Sequence, residues 1–194
     1  MKDKYSDIVN ELSDRELLFH LYVTQILLLV ISIIAGWFLF DTFEDFSKLF
    51  IWDDLNIFLI GGVAGVIVVL LDVFLMRILP QKYYDDGGLN NRIFRSPSVL
   101  HIAFITFIVA ISEEVLFRGV IQTNYGLVVS SLIFALVHYR YLFNWFLFLN
   151  VVLLSFFIGF IYYFTGNLLV TIFMHFIIDF LLGVSIKYRT QYNR

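Results

Sequence analysis

The sequence predicts an all-α fold: a polytopic membrane helix bundle of about six transmembrane helices with both termini on the cytoplasmic side. Three observations predict it. Apolar runs longer than about 18 residues recur along the chain, and such runs have no water-facing side. The composition is 60% hydrophobic against 15% charged, too apolar for a soluble domain. Lysine and arginine divide unevenly between the loops, which sets the orientation.

The crossing segments are residues 17–40, 57–79, 98–122, 126–139, 145–164 and 167–186. The first follows sixteen mostly polar residues and is too long for the apolar core of a signal peptide. No small-residue cleavage site follows it, so the mature chain is expected to begin at or near Met1. The next loop is acidic, with Asp41, Glu44, Asp45, Asp53 and Asp54. The second segment embeds Asp72, for which a structural or cavity-lining role is expected. Residues 80–97 hold Gly-Gly, Asn-Asn and Ser-Pro signals and form the longest loop. The fourth segment is short, so its lower end is expected to be buried in protein instead of reaching the far interface. The last eight residues, KYRTQYNR, form a basic tail attracted to anionic lipid. One membrane domain, residues 1–194, is expected, with a polar N-terminal segment (1–16), a core (about 98–183) and the tail (187–194).

With the N-terminus inside, the cytoplasmic side receives eleven of the 13 basic residues. Lys48 falls outside, and Arg118 lies within the third segment. No basic stripe suggests a nucleic-acid partner. With no cysteine there is no disulfide framework, thiolate nucleophile or cysteine-ligated metal. Aromatic residues near Trp37, Tyr83 and Tyr162 fit interfacial anchoring, and His20 and His101 lie near inner helix ends at headgroup level.

The third segment is the anomaly. Each charge at a helix centre costs about 3 kcal/mol on the insertion scale, so Glu113, Glu114 and Arg118 together cost about 9. The fourteen Val, Leu, Ile and Phe residues from Val99 to Ile121 return about 6. This helix therefore needs partners. Glu114 and Arg118 lie four apart on one face and form a natural structural ion pair. Glu113 points about 100° away and is left over. Downstream, Phe134 and His138 in FALVH share a face of the fourth helix, and His175 and Asp179 in HFIID share a face of the sixth.

Counting about 1.5 Å per residue from the outer helix ends puts Glu113 about 16 Å deep, His138 about 20, His175 about 14 and Asp179 about 20. One polar pocket inside the bundle, wet and open to one side, lowers the cost of all four. Asn150 lies at a comparable depth and is a candidate for lining it. A carboxylate in apolar surroundings is a good general base for water. Glu113 is that candidate, with His138 sharing the proton and positioning the water. His175 can present a ring N–H to a developing oxyanion, and Asp179 can orient that ring.

EEVLFRG resembles the first motif, EExxxR, of the CAAX protease and bacteriocin-processing (CPBP, or Abi) family of intramembrane proteases. FALVH is similar to its second motif, FxxxH, and HFIID to its third, a histidine followed four positions later by asparagine or aspartate. All three occur in the family's order over roughly residues 98–183. The resemblance implies a metal-independent, glutamate-dependent endopeptidase of the bacterial cytoplasmic membrane. In it Glu113 and His138 activate water, and His175 with Asp179 forms the oxyanion site. Glu114, Arg118 and Phe134 take supporting places. No cofactor is expected, and the expected partners are the lipid bilayer and a membrane-embedded or lipid-modified peptide or protein substrate. Eukaryotic members that remove the last three residues of prenylated proteins carry asparagine where this chain has Asp179. Two alternatives stay open: a zinc-dependent membrane peptidase, since two histidines and a glutamate can form an open site although no HExxH is present, and a non-catalytic immunity or regulatory protein of the same fold.

Overall fold

A computed structural model describes residues 11–192, and no strand occurs among them. The polar stretch before residue 11 and the last two residues of the expected tail lie outside the described residues. Helix α1 (Asp14–Leu39) starts at a capping box in which Ser13 Oγ accepts from Glu16 N and Glu16 Oε2 accepts from Ser13 N. A short helix α2 (Phe43–Ser47) follows in the acidic loop, capped by Thr42. Helix α3 (Ile57–Ile78) opens with a π-helical stretch, Ile57–Gly62. The long loop contains α4 (Leu89–Phe94). Helix α5 (Val99–Glu114) runs without a break into a π-helical segment, Val115–Gln122.

Helix α6 (Thr123–Val137) contains a reversal at Gly126, whose φ of 86° and ψ of 169° suit only glycine. The continuous run Val99–Val137 is 39 residues. Straight, it would span about 58 Å, nearly twice the hydrocarbon thickness of a bilayer. Folding back at Gly126 makes it two limbs, with the Phe117 and Phe134 rings in edge contact at 4.9 Å. Helix α7 (Trp145–Thr165) ends at a left-handed Gly166, and α8 (Leu168–Tyr192) completes the bundle. Five helices are long and apolar enough to cross a membrane, and the limb after Gly126 makes the sixth helix of the expected bundle. The last helix, however, continues to Tyr192 instead of stopping at residue 186, so the described part of the expected tail is helical.

Helix α8 is the axis, with α3, α4, α5 and α7 packed around it. Small residues allow the closest approach. A Cβ on Gly61 would lie 2.5 Å from Val170 O, and one on Gly65 would lie 2.9 Å from Met174 O. Two glycines four apart let α3 and α8 touch backbone to backbone, as small-residue pairs do between membrane helices. At the outer end Asn167, fully buried, donates to Ile51 O and to Asp54 Oδ2 and accepts from Ile51 N, which fastens the acidic loop to the start of α8. At the inner end Asp14 accepts from Arg92 at 3.1 Å and Arg95 at 2.8 Å, and Lys187 Nζ donates to Pro97 O at 2.7 Å. The start of α1, the long loop and the end of α8 therefore share one face, in keeping with the charge-based orientation.

The short fourth segment was expected to bury its lower end in protein, yet Leu136, Val137 and Tyr139 there are exposed, and the end is tethered instead by hydrogen bonds to the long loop. Helix α6 stops at Val137, and Asn144 Nδ2, just after the 3-10 turn Tyr139–Phe143, donates to Lys82 O and Asp85 O of the long loop. Large apolar side chains such as Ile33, Trp37, Phe38 and Leu70 stay exposed on the outside of the bundle, where lipid would cover them.

Replacing Gly61 by valine forces a Cβ into a backbone carbonyl that cannot turn aside. A loss of about 1–3 kcal/mol is expected, read as a lowered melting temperature in detergent micelles. Gly36→Ala, whose Cβ would meet only Phe40 at 3.9 Å, should leave the melting temperature unchanged.

Candidate active site

Glu113 and Glu114 close the last turn of α5, and their different directions lead to different partners. Glu114 has no exposure. Its Oε1 accepts from His175 Nδ1 at 2.9 Å, and its Oε2 lies 3.5 Å from Arg118 Nε. The second is a contact of opposite charges without hydrogen-bond geometry. Arg118, also fully buried, donates to Gln122 Oε1 (3.5 Å), Ser130 Oγ (3.4 Å) and Ser155 Oγ (3.0 Å). Its guanidinium carbon stands 5.3 Å from the centre of the Phe134 ring.

The π-helical segment shapes this network. Its wider turn closes with Thr123 N–H on Arg118 O, where Thr123 Oγ1 also donates at 3.1 Å. Ser130 Oγ donates to Phe117 O at 2.5 Å, supplying a partner to that carbonyl from the antiparallel limb. Such π segments concentrate at functional sites.

Phe134 and His138 act as a unit. His138 has already left the helix (φ −84°, ψ 32°), yet its ring lies over Phe134 at 4.5 Å and 27°. Its Nδ1–H donates to Phe134 O at 2.8 Å. A carbonyl can only accept, so this bond selects the tautomer and leaves Nε2 with a lone pair. His175 Nε2, on the other side, lies 3.5 Å from Asp179 Oδ2 and 3.9 Å from Glu113 Oε2.

Glu113, His138, His175 and Asp179 all line one cavity of about 1410 Å³, which continues past Asn150 and Asp72 to residues of the long loop. The four groups that the depth count placed at one level do line one cavity. One part of the expected pattern differs: Glu114, expected only as a structural partner of Arg118, is also the closest group to His175. Asp179, expected to orient the ring, stands farther away on the opposite nitrogen. His101, expected at headgroup level, pairs with Tyr22 at 2.9 Å.

Sequence reasoning missed Gln25. This residue of α1 is 6% exposed, accepts from Ser112 Oγ at 2.6 Å and lines the same cavity as Glu113. Its signal was available, since it is the lone amide within the first apolar segment. Among the described residues, no group of three or more His, Asp and Glu side chains has a metal-binding arrangement.

Glutamate and histidine side chains thus gather around one cavity inside an all-helical bundle. The model of the family described as type II CAAX prenyl endopeptidase Rce1-like matches residues 95–181, which contain EEVLFRG, FALVH and HFIID. The chain is also 45% identical over 168 residues to the uncharacterized protein YpbD of Bacillus subtilis (strain 168), covering 86% of this chain and 88% of that one. The chain belongs to the type II CAAX prenyl endopeptidase Rce1-like family. No solved structure matches it.

Removing Arg118 alone would leave Glu114 buried and uncompensated. Arg118→Leu is expected to cost about 3–5 kcal/mol, and the double variant Glu114→Gln with Arg118→Leu should cost less than Arg118→Leu alone. Thermal unfolding of the four members of this cycle in micelles measures the coupling.

Proposed function

We propose that the chain is an intramembrane endopeptidase of the bacterial cytoplasmic membrane. It hydrolyses a peptide bond of a membrane-associated or lipid-modified peptide or protein, without a metal. The observation that carries this reading is the convergence of Glu113, His138, His175 and Asp179 on one cavity inside the bundle, with a lone pair left on His138 Nε2.

A water held between the Glu113 carboxylate and His138 Nε2 loses a proton to Glu113 as its oxygen attacks the scissile carbonyl carbon. The carbonyl oxygen becomes an oxyanion and takes a hydrogen bond from His175 Nε2–H. That N–H requires a doubly protonated ring, because Nδ1–H is already committed to Glu114, and carboxylates beside both nitrogens suit it to that state. Collapse of the tetrahedral intermediate breaks the C–N bond, and the proton held by Glu113 passes to the leaving amine. Asp179 stands 3.5 Å from His175 Nε2 and orients that ring towards the oxyanion.

Glu113→Gln should lower turnover by about 10²- to 10⁴-fold while the protein stays folded and inserted, measured on purified protein in micelles. Turnover by the parent chain should survive a zinc chelator; loss on chelation would favour the zinc reading. Asp179→Asn keeps an oxygen acceptor for the ring and should retain activity, whereas Asp179→Ala should lose most of it. The membrane peptidome of a deletion strain and of a Glu113→Gln strain should show the same uncleaved peptides. Rescue of the deletion phenotype by Glu113→Gln would instead favour a non-catalytic role.

A further inference from the structure

The inward stripe of α3 reads Gly61, Gly65, Val69, Asp72 and Met76, while Leu70, Leu71 and Phe74 are exposed on its flanks. Asp72 is half-buried on this stripe and lines the cavity of Glu113 and His175. Among the described residues no basic group lies within ion-pair distance of its carboxylate, and no hydrogen bond to it is made. Asp86, on the wall of the same cavity, does have a cation, with Arg140 at 3.9 Å. Arg189 reaches Met76 Sδ at 3.8 Å, one turn inward of Asp72, and does not pair with it. A carboxylate kept within a membrane segment is costly without a counter-charge, and an amide would hydrate the cavity at lower cost.

The helix register gives the level of Asp72 relative to the site. Gly61 abuts Val170 and Gly65 abuts Met174 in parallel helices, so the same offset carries Asp72 to the level of Leu181. That level is about 9 Å inward of His175. An extended peptide covers about 3.3 Å per residue, so the distance corresponds to about three residues.

We propose that Asp72 is a specificity-determining residue: it receives a lysine or arginine side chain of the substrate, about three residues from the scissile bond. This rests on the endopeptidase reading and adds the chemical class of the substrate to it.

The test uses the full-length chain in micelles and a set of apolar synthetic peptides that differ only in carrying Lys, Gln or Glu at one scanned position. Cleavage sites are read by mass spectrometry. The parent chain should cleave the Lys peptide at least about tenfold faster than the Gln peptide when the scanned residue lies about three from the cut. Asp72→Asn should bring that ratio to about one, and Asp72→Lys should prefer Glu. Binding of the same peptides to Glu113→Gln, followed by fluorescence anisotropy, should show the same preference without turnover. Cleavage with no charge preference, or an Asp72→Asn variant that slows all three peptides equally, overturns the proposal and leaves the endopeptidase reading intact. No Glu113-dependent cleavage of any peptide, and no charge-dependent binding, overturns both.

Discussion

The structure of the site depends on the buried carboxylate of Glu114. In a medium that cannot solvate it, an ionised carboxylate must find its compensation inside the protein. Glu114 finds it on two sides, in the guanidinium of Arg118 and the Nδ1–H of His175. Arg118 then extends the network, because a planar fork with five donors needs acceptors in fixed directions. It reaches Ser130 on α6 and Ser155 on α7, while His175 stands on α8. One charge thereby links α5, α6, α7 and α8, and the groups that face the cavity are carried on the linked helices.

The arrangement also explains why two adjacent glutamates are useful. Consecutive positions on a helix diverge by about 100°, so one carboxylate can be locked in the packed interior while its neighbour faces the cavity. Glu114 holds His175 by one nitrogen, which leaves the other turned towards Glu113 and Asp179. Phe134 does the corresponding work for His138, with its carbonyl on Nδ1 and its ring against the imidazole. In each histidine one nitrogen is committed to the scaffold and the other is left for the cavity.

Much of this was legible because membrane helices obey simple counting. Spans of known rise, anchored at known ends, place residues in depth, and an ionisable residue in such a span must face protein or water. That sufficed to group Glu113 with His138, His175 and Asp179 and to pair Glu114 with Arg118. Counting fails where the helix is not an α-helix. The π-helical segment Val115–Gln122 changes the turn that carries Arg118, and it is accompanied by a contact from the antiparallel limb, Ser130 on Phe117 O. Depth also says nothing about azimuth between helices. Gln25 on α1 was therefore not associated with Ser112, and the second partner of Glu114 was not foreseen.

By itself the sequence determined the all-helical membrane class, the uneven division of the basic residues and the common depth of the polar groups. Each of these follows from transfer free energy or helix rise, which are local properties. The tertiary structure decided which nitrogen of each histidine is free, that Glu114 orients His175, how closely α3 approaches α8, and that Asp72 shares the cavity. These depend on the rotation and register of helices distant in the chain. Rotation and register are set by side-chain packing across interfaces such as Gly61 on Val170, and no local property of either segment contains them.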